Sequence, residues 1–308
     1  MLSPIKRIKT LLTGANGLVG STISADLRVR GRSELDLRDW AKTHKFFYAN
    51  SPTHVIHCAG KVGGVWANMN HLGEFFYDSM AINLNVLEAA RQTNVEKVVS
   101  FLSTCIYPDK VEYPLTEDKI HLGEPHPTNY AYAYAKRMLE VQSRAYRDQY
   151  GLNYVCVVPT NIYGPNDNFN LESSHVVPAL IHKCYLAREN GTDLVVWGSG
   201  KPLREFIYSE DIGRLTEWAL KEYDDPLPII FSNSDEVTIG DLVKEIARAL
   251  EFKGDIIFDS TKPDGQMRKP TDNSKLMSYL PNFEFTPLSE GIKKSVGWFV
   301  ENYENCRK

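Results

Sequence analysis

The stretch Ile8-Lys9-Thr10-Leu11-Leu12-Thr13-Gly14-Ala15-Asn16-Gly17-Leu18-Val19-Gly20 decides the fold. A short apolar run reads as a strand, and a turn with regularly spaced glycines follows it. Glycine lets a backbone turn tightly and approach a pyrophosphate closely. The turn predicts the start of a helix, whose N-terminus favours an anion. Gly14, Asn16, Gly17, Leu18, Val19 and Gly20 are therefore candidate cofactor contacts. A glycine turn without a ligand is the alternative.

Outward from that turn, strands alternate with helices. Thr53 to Gly60, Lys97 to Ser103 and Asn153 to Thr160 read as strands, while Met80 to Thr93 and Asn129 to Tyr150 have helical spacing. This alternation predicts an α/β fold with a Rossmann-type doubly wound parallel sheet. Ligands in such sheets lie beyond the carboxyl ends of the strands. Gly14, Ala59, Gly60, Ser103 and the segment Pro159-Thr160-Asn161-Ile162 all fall there.

After Gly164 the character changes. A helix (Val176 to Glu189), a strand (Asp193 to Trp197), an amphipathic helix (Val237 to Leu250), a strand (Asp255 to Phe258) and a closing helix (Pro287 to Tyr303) follow. Between them, Arg204 to Tyr208 reads as a return to the main sheet region. The expectation is a cofactor domain over 1–164 plus about 204–234, and a smaller, discontinuous C-terminal substrate domain over about 165–203 and 235–308. Only fifteen residues separate Gly20 from Asp36, so the first helix and second strand should be shortened.

At 308 residues and a net charge of -4, the chain offers no general electrostatic case for nucleic acid or an anionic membrane. No apolar run reaches the roughly 20 residues of a membrane span. The segment Met1 to Lys9 is too polar for a signal peptide, which makes the cytoplasm the expected compartment. The five cysteines show neither metal-ligand spacing nor a disulfide framework, so no metal is expected. Cys58 and Cys156 lie in apolar strands and read as core filling.

The chemistry rests on Ser103, Cys105, Tyr132, Lys136 and His175. Tyr132 and Lys136 stand four apart, so one helix face carries both. An ammonium within ~6 Å would stabilise a phenolate and lower the phenol pKa. Lys136 can also hold a nicotinamide ribose, and Ser103 can bind a substrate carbonyl. Cys105 follows a strand exit and faces the same crevice; as a thiolate it is a base or nucleophile. His175 supplies a proton donor or acceptor near neutrality. A buried thiol and a helix-start histidine are the plain alternatives for that pair.

Arg30 and Arg32 favour NADP(H) over NAD, because a guanidinium matches a 2′-phosphate. Glu34 and Asp36 stand near the position of a ribose-binding acid, and a solvated basic edge is the other reading of the arginines. Lys183, Trp197, Arg204 and Asp264 are candidate substrate contacts, with Lys183 and Arg204 suited to a diphosphate and Trp197 to an apolar wall.

These residues carry a resemblance over nearly the whole chain. Lys61-Val62-Gly63-Gly64, Ser103-Thr104-Cys105-Ile106-Tyr107-Pro108, Tyr132-Ala133-Tyr134-Ala135-Lys136, Pro159-Thr160-Asn161-Ile162-Tyr163-Gly164 and Arg204-Glu205-Phe206 resemble the extended short-chain dehydrogenase/reductase family. The resemblance implies NADPH-dependent conversion of a GDP-sugar, GDP-4-keto-6-deoxy-D-mannose, to GDP-L-fucose. In it Cys105 removes the protons at C3 and C5, and His175 returns them on the opposite face. Tyr132 then protonates the C4 oxygen, supported by Lys136 and Ser103. The resemblance also places His175 and Pro159 to Ile162 beside the cofactor, and Lys183, Trp197, Arg204 and Asp264 on the substrate. It implies a homodimer. The segment Ser21 to Arg32 is shorter than the family's. A 4-epimerase, a 4,6-dehydratase or a non-catalytic cofactor sensor of this fold are the competing readings.

Overall fold

A computed structural model describes residues 8–262 and 264–308. The polar N-terminal segment up to Arg7, and Pro263 of the Pro263-Asp264-Gly265 turn, lie outside the described residues. Among the described residues the chain runs β1 (Thr10–Thr13), β2 (Leu27–Val29), α1 (Trp40–Asn50), β3 (His54–His57), α2 (Val65–Asn70), α3 (Leu72–Gln92), β4 (Lys97–Phe101) and α4 (Tyr130–Tyr150). It continues through β5 (Asn153–Pro159), β6 (Asn161–Tyr163), α5 (Val176–Asn190), β7 (Leu194–Trp197), β8 (Leu203–Tyr208) and α6 (Ser209–Glu222). The last elements are β9 (Ile229–Phe231), β10 (Glu236–Thr238), α7 (Ile239–Ala249), β11 (Ile256–Asp259), α8 (Ser274–Tyr279) and α9 (Leu288–Glu301).

Six strands form a sheet in the order β2-β1-β3-β4-β5-β9. Every pairing in it is parallel. Parallel strands need helices on both faces, so β4 and nearly all of β5 are buried apolar runs. Ile82, Val86 and Leu87 of α3 and Leu139 of α4 fill the core on one face. Ile212, Leu215 and Ala219 of α6 fill it on the other. The order reverses beside β1, which opens a crevice at the carboxyl ends of β1 and β3.

The first crossover corrects one expectation. The glycine turn leads into a single 3-10 turn, Gly20–Thr22, not into an α-helix. The segment before β2 is too short to climb and return as a helix. Arg28 compensates: its guanidinium donates to the carbonyls of Ala15, Gly20 and Ile23. Arg28 is thereby committed to the turn.

β8 departs from the sequence reading as well. It pairs with β6 and β10 in a separate three-stranded sheet, while β7 pairs with β11. Among the described strands after β5, β9 alone rejoins the main sheet. Leu180, Val196, Phe206, Leu242, Ile246 and Phe299 form a second core around these smaller sheets.

Candidate active site

β4 aims Ser103 and Cys105 into the crevice. The Ser103 hydroxyl caps a 3-10 turn, Thr104–Ile106, by accepting from the Cys105 amide at 3.3 Å. That turn places Cys105 against a small cluster of Ala67, Phe75 and Tyr132. The thiol is therefore on the crevice side of the sheet, packed with the residues around the phenol. Phe75 meets the Tyr132 ring edge-on at 6.3 Å between centroids.

The spacing on α4 works as expected. Lys136 Nζ lies 6.0 Å from the Tyr132 ring centre and donates to the Phe101 carbonyl at 2.7 Å. A Cβ added at Gly60 would stand 3.7 Å from the same ammonium, so the exits of β3 and β4 meet there. The electrostatics reverse one expectation. Burial pushes the Tyr132 phenol above its ordinary value of 10, and nearby Cys105 adds to the shift. Burial also lowers Lys136 from 10.5 to about 8. The phenol is thus kept fully protonated, the form a proton donor requires.

His175 is the N-cap residue of α5. The Asn170 side chain accepts from the backbone amides of Glu172 and Ser173, shaping the approach. The Gly64 amide donates to the Ser173 carbonyl at 2.9 Å, and a Cβ on Gly64 would fall 2.6 Å from the Ser174 carbonyl. Gly64 is also the N-cap of α2, the helix that carries Ala67 into the Tyr132 cluster. One short helix therefore joins the His175 segment to the phenol and thiol. His175 is exposed as a residue, and desolvation by the protein around its ring lowers its pKa below 6.5.

The glycine turn fits a pyrophosphate. Gly14 has φ +73°, and a Cβ there would meet the Ala59 amide nitrogen at 2.8 Å. A Cβ at Gly20 would lie 2.2 Å from the Gly14 carbonyl oxygen, and the Gly17 amide donates to that same oxygen. Asn16, Leu18 and Val19 complete the turn, with Leu18 reaching toward Gly164. Pro159 ends β5, the buried Thr160 donates its amide to Phe231, and Asn161 and Ile162 open β6.

A buried polar chain supports this floor, and the sequence offered no periodic signal for it. Thr13 Oγ1 lies 2.8 Å from His57 Nδ1, and His57 Nε2 lies 3.1 Å from Asn83 Oδ1. Burial lowers His57 to about 3, so its ring is neutral.

At the exit of β2 both candidate acids are engaged by neighbours. Glu34 accepts from the Arg30 amide, and Asp36 is forked by Arg38, which holds its carboxyl at about 2. The Arg30 and Arg32 side chains remain exposed. That donor set fits a 2′-phosphate.

The substrate candidates gather on the second core. Lys183 lies 4.5 Å above the Trp197 ring, and Lys262 approaches the same ring at 5.6 Å. Trp197 is 64% exposed, unusually so for its size. Arg204 donates to the carbonyls of Leu203 and Gln266. Asp264 accepts from the Ser199 amide and hydroxyl at 2.8 and 2.6 Å, locking the turn after Trp197. Sequence reasoning missed Lys269. Burial lowers its pKa, and Cys105, Arg204 and Asp109 act on it electrostatically, which puts it within range of both the thiol and a candidate substrate contact. No spacing pattern connects these positions.

Residues 10–232 match the family model described as the NAD dependent epimerase/dehydratase family. The chain is 48% identical to the GDP-L-fucose synthase of Dictyostelium discoideum over 97% of each sequence. It is 36% identical to the Escherichia coli K12 GDP-L-fucose synthase, covering 97% of this chain and 98% of that one. A crystal structure of a GDP-L-fucose synthetase from Naegleria fowleri bound to NADP superposes with a TM-score of 0.93 at 42% identity, covering 100% of this chain and 97% of that one. A doubly wound sheet, a glycine turn and a Tyr-Lys pair completed by a thiol agree with these likenesses, and the chain belongs to the NAD dependent epimerase/dehydratase family, in its GDP-L-fucose synthase group.

Proposed function

We propose that this chain converts GDP-4-keto-6-deoxy-D-mannose to GDP-L-fucose by epimerisation at C3 and C5 and NADPH-dependent reduction at C4. The observation that carries the reading is Cys105 packed with Tyr132 in one cluster at the exit of β4. A ketone acidifies both neighbouring carbons, so one carbonyl site can serve epimerisation and reduction. Cys105 removes the proton from C3 and from C5, and His175 returns one on the opposite face. Ser103 and Tyr132 hold the C4 oxygen meanwhile.

NADPH supplies the hydride, held by the Gly14–Gly20 turn, Arg30, Arg32, Ala59, Lys136, the Pro159 to Ile162 segment and His175. Tyr132 gives its proton to the C4 oxygen. A raised phenol pKa does not impede that step, because an alkoxide is a far stronger base than a phenolate. Lys136 then faces the phenolate as a buried cation, with its position set by the Phe101 carbonyl. Lys183 and Arg204 bind the diphosphate, Trp197 stacks its ring on the nucleotide end, and Asp264 holds the turn beneath it. Lys269 adds an amine within electrostatic range of Cys105 and Arg204.

A 4-epimerase or 4,6-dehydratase would recycle a bound cofactor. The test is stoichiometry: the keto sugar should consume one NADPH for each GDP-L-fucose formed. Product formed without net NADPH oxidation would defeat the reading.

The same proposal divides the chain into a cofactor part (1–164 with about 204–234) and a substrate part (about 165–203 and 235–308). It also includes a cytoplasmic homodimer. Phe76 and Leu84 on α3, and Tyr130 and Met138 on α4, are exposed two helical turns apart, and the two helices lie side by side. Among the described residues no helix is long and apolar enough to cross a membrane.

A further inference from the structure

Outside the catalytic set, one ion cluster is unusually dense. Asp78 on α3 is 6% exposed, and three cations reach it. Its Oδ1 accepts from Arg38 at 3.0 Å, while Oδ2 lies 3.3 Å from Arg32 and 3.5 Å from Lys61. Arg38 also forks onto Asp36, and Lys61 also pairs with Glu74. The cations come from two loops: Arg32 and Arg38 from the connection between β2 and α1, and Lys61 from the segment beyond β3. These loops flank β1 and the glycine turn that it carries.

A nearly buried carboxylate on a helix is costly unless it is paired. Counted with Asp36 and Glu74, three cations face three carboxylates, so the cluster is balanced and Arg32 is the member that reaches it from the most exposed position. Arg32 sits in an exposed turn, and its side chain is 57% exposed. Free, it would sample many rotamers and lose that freedom on gripping an anion. Asp78 occupies one of its five N–H donors and leaves the others facing outward.

We propose that Asp78 is a specificity-determining positioning residue, which holds the Arg32 guanidinium at the exit of β2 ready for the 2′-phosphate that distinguishes NADPH from NADH. The proposal rests on the cofactor reading above. Asp78 acts through Arg32 and does not itself touch the cofactor. Without Arg32, Asp78 stays neutralised by Arg38 and Lys61, so its effect on the phosphate passes through Arg32 alone.

The test is steady-state kinetics of the full-length enzyme with NADPH and with NADH, on wild type, Arg32→Ala, Asp78→Asn, Asp78→Glu and the double variant Arg32→Ala/Asp78→Asn. Arg32→Ala should raise KM for NADPH about tenfold or more, and far more than it raises KM for NADH. Asp78→Asn should raise KM for NADPH several-fold at unchanged kcat, again sparing NADH, and Asp78→Glu should restore part of the loss. Adding Asp78→Asn to Arg32→Ala should change KM for NADPH no further. Circular dichroism and a thermal melt report folding in each variant. If Arg32→Ala abolishes the preference and Asp78→Asn leaves the NADPH-to-NADH ratio intact, the positioning role is overturned and the cofactor reading stands. If Asp78→Asn depresses turnover with both cofactors equally, Asp78 is structural and the proposal also fails. If the wild type shows no preference for NADPH, the cofactor reading itself fails.

Discussion

Replacing Lys136 with Met should abolish hydride transfer and leave the fold as stable as before, or more so. Lys136 is 4% exposed, and burial moves its pKa from 10.5 to about 8. That gap corresponds to about 3 kcal/mol spent at pH 7 to keep the buried group charged. Removing it also strands the Phe101 carbonyl, which costs about 1–3 kcal/mol. Methionine fills much of the same volume. The variant should therefore be more stable than wild type by about 0–2 kcal/mol at pH 7.

The pH dependence carries a definite sign. The folded pKa of Lys136 is depressed, so between about 8 and 10.5 the unfolded chain holds more protons than the folded one. Wild-type stability therefore rises across that window relative to the variant, and below it the penalty is fully present. Urea unfolding at pH 7 and at pH 10 gives both differences, and NADPH oxidation gives the activity. A variant clearly less stable than wild type at both pH values, with no change between them, would refute the claim that this cation is held at a cost for its chemistry.

Cys105→Ser should suppress exchange of the C3 and C5 protons by about 10²-fold or more while sparing reduction of a ketone that needs no epimerisation, as read by deuterium incorporation and NADPH oxidation. Equal loss of both would count against Cys105 as the base. For His175, desolvation puts the pKa below 6.5, so its acid form fades as pH rises through a midpoint under that value. Epimerisation should follow that limb in a kcat/KM profile, and His175→Asn should erase it. Gly20→Ala forces a Cβ to within 2.2 Å of the Gly14 carbonyl, so it should weaken NADPH binding at least tenfold by fluorescence titration. Gly31→Ala meets nothing within 4 Å and should change stability by less than about 0.5 kcal/mol, measured by urea unfolding.

Much of the main sheet was legible because parallel strands are continuous apolar runs, as in Val98-Val99-Ser100-Phe101 and Val155-Cys156-Val157-Val158. The Tyr132–Lys136 spacing needed only the helical period. Three-residue strands such as β6 and β10 are too short to show a period, so the home of β8 was misread. α1 was missed because its exposed Trp40 and Tyr48 blur the apolar stripe. The absent first helix was foreshadowed by the short segment before β2, but the carbonyl staple by Arg28 was not.

In the site, charge was legible and burial was not. An ammonium near a phenol reads as a device for lowering its pKa, yet desolvation wins at Tyr132. The same effect sets Cys156, which burial pushes up to about 12, in line with its reading as core filling. Lys269 and Asp78 gain their meaning from residues far away in sequence, and no local pattern marks them.

The central claim is that thiol, imidazole and phenol act on one sugar carbonyl. It is tested most directly by running the reaction with GDP-4-keto-6-deoxy-D-mannose and NADPH in D2O and reading the product by NMR. The account predicts GDP-L-fucose with solvent deuterium at C3 and C5, none at C4, and one NADPH consumed per product. In Cys105→Ser the reduced sugar should carry no deuterium at C3 or C5. A wild-type product free of deuterium at both carbons would contradict the account.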